Sequence, residues 1–174
     1  GIEMGVFVAH KIYWKVPNLT SGNQNHRNEF LADIKGSIEV AKRVNAKWIT
    51  VVPGYVDLSK NEGYQTANVI ESLKQASGIL EPHGITMVLE PLNFRDHAGQ
   101  FLTKIAQAYQ ICKVISSPSC KILFDIYHQQ IQEGNIIHNK GYEGIIGMEH
   151  GNSIPGEEGE INVMNAYKTV DIRK

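Results

Sequence analysis

Residues 85–93 read Ile-Thr-Met-Val-Leu-Glu-Pro-Leu-Asn (ITMVLEPLN), and the architecture follows from them. The first five form a short, nearly continuous apolar run. A strand of that kind suits a sheet buried on both faces, as in parallel α/β folds. Glu90 then stands at the strand's carboxyl end, and Pro91, which lacks a backbone donor, cannot extend an internal strand. The unit therefore reads as a buried strand delivering a carboxylate to the edge of the sheet.

The same unit repeats outward in both directions. Upstream, Val6 to Ala9 (VFVA) and Trp48 to Val52 (WITVV, stopped by Pro53-Gly54) read as strands. Downstream, Lys121 to Phe124 (KILF) and Gly144 to Met148 (GIIGM) do the same. Between the strands, apolar residues recur at helical spacing: Phe30, Leu31, Ile34, Ile38, Ala41 and Val44 in one stretch, and Val69, Ile70, Leu73, Ala76 and Leu80 in the next. Leu102, Ile105, Tyr109 and Cys112 stripe a third helix. A short helix is expected over Gln130 to Asn139, and a closing one over Ile161 to Val170. Strands alternating with helices imply a parallel sheet covered by helices.

Spacing adds a second message. The strand centres are separated by about 43, 37, 36 and then only about 23 residues, the last barely enough for a helical crossover. Five strands cannot close an eight-stranded barrel of roughly 200 to 250 residues. The expectation is one domain over residues 1–174, its short last interval explained equally by a cramped unit with an 11-residue helix or by a segment missing between 140 and 141.

Composition excludes several classes. The 174 residues carry 17 Lys and Arg against 18 Asp and Glu, a balance unsuited to a nucleic-acid groove. Two cysteines cannot supply a disulfide framework or a thiolate cluster. No apolar run approaches the roughly 18 residues of a membrane span. The expected partner is thus a small molecule, with neither nucleic acid nor membrane, and homo-oligomerisation stays open. Cytoplasmic location is the default expectation, although the start at Gly1 leaves room for a removed leader and export.

In parallel α/β folds chemistry collects at the carboxyl ends of the strands. Those positions hold His10, then Pro53-Gly54, then Glu90, Asp125 with His128, and Glu149 with His150. Three consecutive strands finish on a carboxylate. Carboxylates gathered in one cleft repel unless a cation neutralises them, and hard oxygen ligands suit Mg²⁺ or Mn²⁺, with Zn²⁺ or Co²⁺ as alternatives. Against this stands the plainer reading of one strand-end acid as a helix cap, which Asp125 fits. Tyr13, Trp14 and Phe94 read as packing residues, and Cys112 as core.

Three motifs then bring in a family. LEPLN (89–93), FDIYHQQIQEGN (124–135) and GYEGIIGMEHGNSIPGEEGE (141–160) resemble hydroxypyruvate isomerase and its relatives. That group lies within the xylose isomerase-like (β/α)8 TIM barrels, beside ketose 3-epimerases and an AP-endonuclease branch. The resemblance implies that Glu90, Asp125 and Glu149 are metal ligands from barrel strands five, six and eight. It implies further that Glu90 and Glu149 are the acid/base pair and that His128 holds a polar group of the substrate. His10, at an earlier strand end, joins His128 as a substrate-contact candidate. The first two barrel strands have no counterpart, nor does the unit carrying strand seven, which in the family brings a fourth ligand and a substrate Arg.

The activity so implied is proton transfer through a cis-enediolate, isomerising or epimerising a sugar or hydroxy-keto acid with a divalent metal. A non-catalytic sugar binder on the same scaffold and an AP-endonuclease-like phosphodiesterase are the rival readings.

Overall fold

The computed structural model describes residues 4–9, 18–134 and 154–170. Four strands form one parallel sheet in the order β1 (Val6–Val8), β2 (Trp48–Val51), β3 (Thr86–Leu89) and β4 (Cys120–Ile122). The register sets Ile49 beside Met87 and Val51 beside Leu89, and all four side chains are fully buried. Each strand thus enters the sheet next to its predecessor, as consecutive right-handed βα units do.

The connecting helices are α1 (Gln24–Val44), α2 (Glu62–Leu80) and α3 (Ile105–Ile115). Asn23 caps α1 by accepting the Asn25 N–H, and Asn61 caps α2 through the Gly63 N–H. At the other end of α1, Asn45 adopts the left-handed conformation (φ 54°), and Ser116 does the same after α3. Phe30, Ile34 and Ala41 from α1 and Val69, Leu73 and Leu80 from α2 join the sheet residues in one core, with Leu102, Ala108 and Ile111. The stripes of α1 and α2 therefore face the core as expected.

Three expectations need correction. β1 is not a buried strand: Val6 and Val8 are each 43% exposed, because among the described residues β1 pairs on one side only. The third helix begins at Ile105 and buries Ala108, Ile111 and Ile115, so Leu102 is a buried loop residue and Tyr109, 55% exposed, lies off the buried face. Of the short helix predicted over Gln130 to Asn139, positions 135–139 lie outside the described residues, and positions 130–132 belong to α4, Ile126–Gln132, which begins four residues earlier. It starts early because Asp125 caps it, and Gly134 in the left-handed conformation (φ 68°) follows its end. The expected strand 144–148 and the junction between 140 and 141 lie outside the described residues.

A separate unit comprises residues 144–174, in which the described helix is α5, Glu157–Val170, begun by Glu157, Glu158 and Glu160. Acidic residues in a first turn complement the positive end of the helix dipole. No described helix is long and apolar enough to cross a membrane.

Candidate active site

Glu90 is placed by the sheet itself. One residue past β3, its N–H donates to the Val51 carbonyl on β2 at 3.3 Å, while on the other side Leu123 N–H donates to Leu89 at 2.9 Å. The ladder thus runs on to the point where Pro91 ends it. Asp125 lies beyond β4, and its Oδ1 accepts the His128 N–H at 3.2 Å as the cap of α4. That helix delivers His128, three residues on, back over the end of the sheet. Gln129, fully buried, ties α4 to the loop after β3 by donating from Nε2 to the Pro91 carbonyl at 3.1 Å.

Glu90, Asp125 and His128 each present one donor atom, and these atoms all lie within 4.8 Å of one another. His128 Nε2 is 4.0 Å from Glu90 Oε1 and 3.9 Å from Asp125 Oδ2. The Glu90 and Asp125 side chains are only 16% and 13% exposed. Two like charges about 5 Å apart repel by roughly 3 kcal/mol at an effective dielectric constant of about 20. A cation between them would neutralise that repulsion. Two shielded carboxylates offer hard oxygen ligands that fit a divalent metal ion, with the His128 ring beside them.

A polar turn surrounds the far side of His128. Asn93, fully buried, accepts the Arg95 and Asp96 N–H groups at its Oδ1 (3.0 and 2.9 Å). Its Nδ2 donates to Asp96 Oδ2 at 2.9 Å and lies 2.8 Å from His128 Nδ1. Tyr127 donates its hydroxyl proton to the same Asp96 oxygen at 2.7 Å. Those two hydrogen bonds, Tyr127's first and then Asn93's, hold the Asp96 carboxyl below its ordinary pKa, and the same contact pushes the Tyr127 hydroxyl up. The His97 and Tyr127 rings meet His128 edge-on, with centroids 5.3 and 5.4 Å away.

The structure therefore brings together Glu90, Asp125 and His128, three of the residues singled out in the sequence. Glu149, His150 and His10 lie outside the described residues, as do Tyr13 and Trp14. Phe94 is 59% exposed and packs into no core. Pro53-Gly54 serves the neighbouring loop: the Gly54 carbonyl accepts Phe101 N–H at 2.8 Å, with Gly54 at φ 106° against Asn18. Sequence reasoning gave no role to Asn93, Asp96 or Gln129. The signal was available for one of them, since Asn93 closes the LEPLN motif, but its partner His128 is 35 residues away.

The chain resembles known proteins over most of its length. It is 32% identical over 109 residues to the 2-oxo-tetronate isomerase of Cupriavidus necator, covering 60% of this chain and 42% of that protein. It is 25% identical over 184 residues to the hydroxypyruvate isomerase of Escherichia coli, covering 95% of this chain and 70% of that protein. The chain spans about half the length of the first curated relatives it matches. Among solved structures, a Brucella melitensis protein described as AP endonuclease, family 2, superimposes with a TM-score of 0.70 at 20% identity. It covers 99% of this chain and 70% of that one, a likeness of fold. The family model described as xylose isomerase-like TIM barrel matches residues 3–166, and the chain belongs to that family.

Proposed function

We propose that this chain carries much of the active site of a metal-dependent isomerase or epimerase acting on a small sugar or hydroxy-keto acid. The observation that supports it most is the convergence of Glu90 and Asp125 from neighbouring strands, with His128 between them. The isomerase names of the Cupriavidus and Escherichia relatives agree with that chemistry.

Glu90, Asp125 and Glu149 would hold the divalent ion, with Mg²⁺ or Mn²⁺ matching an oxygen-rich set and Zn²⁺ or Co²⁺ as alternatives. When bound, such an ion supplies Lewis acidity to a carbonyl oxygen and charge to the oxyanion formed beside it. The remaining work belongs to side chains. One of the pair Glu90 and Glu149 removes the proton from the carbon next to the carbonyl, giving the enediolate. The other returns a proton, to the neighbouring carbon for isomerisation or to the opposite face of the same carbon for epimerisation. Positioned acid–base groups of this kind contribute about 10² to 10⁴ in rate. His128, with His10, holds a substrate oxygen in place.

The test is solvent-deuterium incorporation. The chain is incubated in D₂O with Mn²⁺ and hydroxypyruvate or a panel of ketoses, and the substrate C–H signals are followed by NMR. Deuterium gain that disappears in Glu90→Gln supports the reading. Sugar binding without exchange, unaffected by chelator, contradicts it and favours the binding-protein alternative.

A further inference from the structure

We propose that Asn93 is a positioning residue that fixes the proton of His128 on Nε2. His128 Nδ1 faces two donors from one residue, the Asn93 backbone N–H at 3.3 Å and the Asn93 Nδ2 at 2.8 Å. The orientation of the Asn93 amide decides whether Nδ2 is truly the group facing the ring, and the surrounding hydrogen bonds settle it. Its Oδ1 accepts two backbone N–H groups, from Arg95 and Asp96. Its Nδ2 meets the Asp96 carboxylate. Turning the amide over would set an NH₂ against two N–H donors and an oxygen against a carboxylate, so a fully buried side chain would lose its three hydrogen bonds to Arg95 and Asp96. With both amide hydrogens directed at acceptors, one of them belongs to His128 Nδ1.

A neutral imidazole carries one proton, and the nitrogen facing donors is the one that accepts. Nδ1 is therefore the acceptor and Nε2 carries the hydrogen. Nε2 is the atom 3.9–4.0 Å from Asp125 and Glu90. The consequence sorts the three-residue cluster. Glu90 and Asp125 offer oxygen lone pairs, whereas His128 offers an N–H, so it donates to an oxygen at the site rather than ligating a cation through Nε2. Metal-bound histidines show the opposite arrangement, with the second nitrogen donating to an acceptor. Tyr127 completes the support: its hydroxyl braces the Asp96 oxygen that also receives Asn93, and its ring borders His128. What the Nε2–H is for rests on the isomerase reading, in which it would hold the substrate oxygen beside the carboxylates. Which nitrogen bears it does not.

The experiment is a long-range ¹H–¹⁵N correlation on the ¹⁵N-labelled full chain, without metal or substrate. It is run about 1.5 pH units above the ordinary imidazole value. The signals lost in His128→Gln assign the ring. The expected result is a proton-bearing, pyrrole-like Nε2 and an unprotonated, pyridine-like Nδ1. In Asn93→Asp a carboxylate oxygen takes the place of the Nδ2 donor while the backbone N–H remains, and Nδ1 should lose its pyridine-like shift. A pyrrole-like Nδ1 in the unaltered chain overturns the inference, and so does a spectrum unmoved by Asn93→Asp. The expected shifts without deuterium exchange into substrate would leave Asn93's role standing and remove the isomerase reading alone.

Discussion

Asp125 engages His128 at two points: its Oδ1 accepts the His128 backbone N–H at 3.2 Å, and its Oδ2 lies 3.9 Å from the same residue's Nε2. One carboxylate therefore starts a helix and borders the site that the helix completes. The plain reading of a strand-end acid as a cap is met, and the same side chain stands in the cluster to which the proposed function assigns a cation. Asn93 is the complement, since it holds the ring nitrogen on the far side.

The two duties of Asp125 separate by substitution. Asn caps helices about as well as Asp, whereas Ala loses the cap at a cost of about 1 kcal/mol. Urea unfolding should show Asp125→Ala destabilised by about that amount and Asp125→Asn changed by a few tenths at most. Calorimetric titration with Mn²⁺ should show both variants weakened. Equal destabilisation of the two would show that the cap contributes little.

The sheet that positions Glu90 has a direct stability test. Leu89 is fully buried between Val51 and Ile122 in the ladder and immediately precedes Glu90. Leu89→Ala should cost about 2–5 kcal/mol, read as a lower urea midpoint. Tyr109, 55% exposed on α3, serves as the control, and Tyr109→Ala should stay within about 0.5 kcal/mol.

Cys112 and Cys120 are free thiols with sulfurs 3.7 Å apart, joining α3 to the start of β4. The contact stabilises the Cys112 thiolate, while the same contact and burial push the Cys120 thiol up. Iodoacetamide at neutral pH should therefore modify Cys112 first, with Cys120 protected until the chain unfolds. Peptide mass mapping over time reads the order, and simultaneous modification would contradict it.

The Asp96 network carries a pH signature. A carboxyl held below its ordinary value adds stability that is present above the unfolded pKa and lost as pH falls through the folded one. Carboxyl ¹³C titration should place Asp96 below the ordinary Asp value. Tyr127→Phe, which removes the first-ranking hydrogen bond, should move it upward. No movement in that variant would contradict the network as described.

Much of this was legible in residue order. Apolar runs ending at Glu90-Pro91 and at Asp125 announced parallel strands and their terminal carboxylates, because strand burial and proline's missing donor are local properties. β1 misled because exposure depends on which strand lies alongside, a matter of tertiary partners. α4 misled because seven residues hold too few turns for a periodic stripe, and its start depends on the Asp125 cap. Asn93 was invisible for another reason. After Pro91 a polar residue reads as loop, and only the closure of 35 residues of chain brings it against His128.

Paramagnetic broadening by Mn²⁺ in the ¹⁵N-labelled chain tests the central claim most directly, because it needs no substrate. Backbone signals around Glu90, Asp125 and His128 should broaden first at low Mn²⁺. Chelator should restore them, and a chain carrying both Glu90→Gln and Asp125→Asn should show no such effect. Broadening centred elsewhere, or unchanged in that double variant, would contradict a metal site at these strand ends.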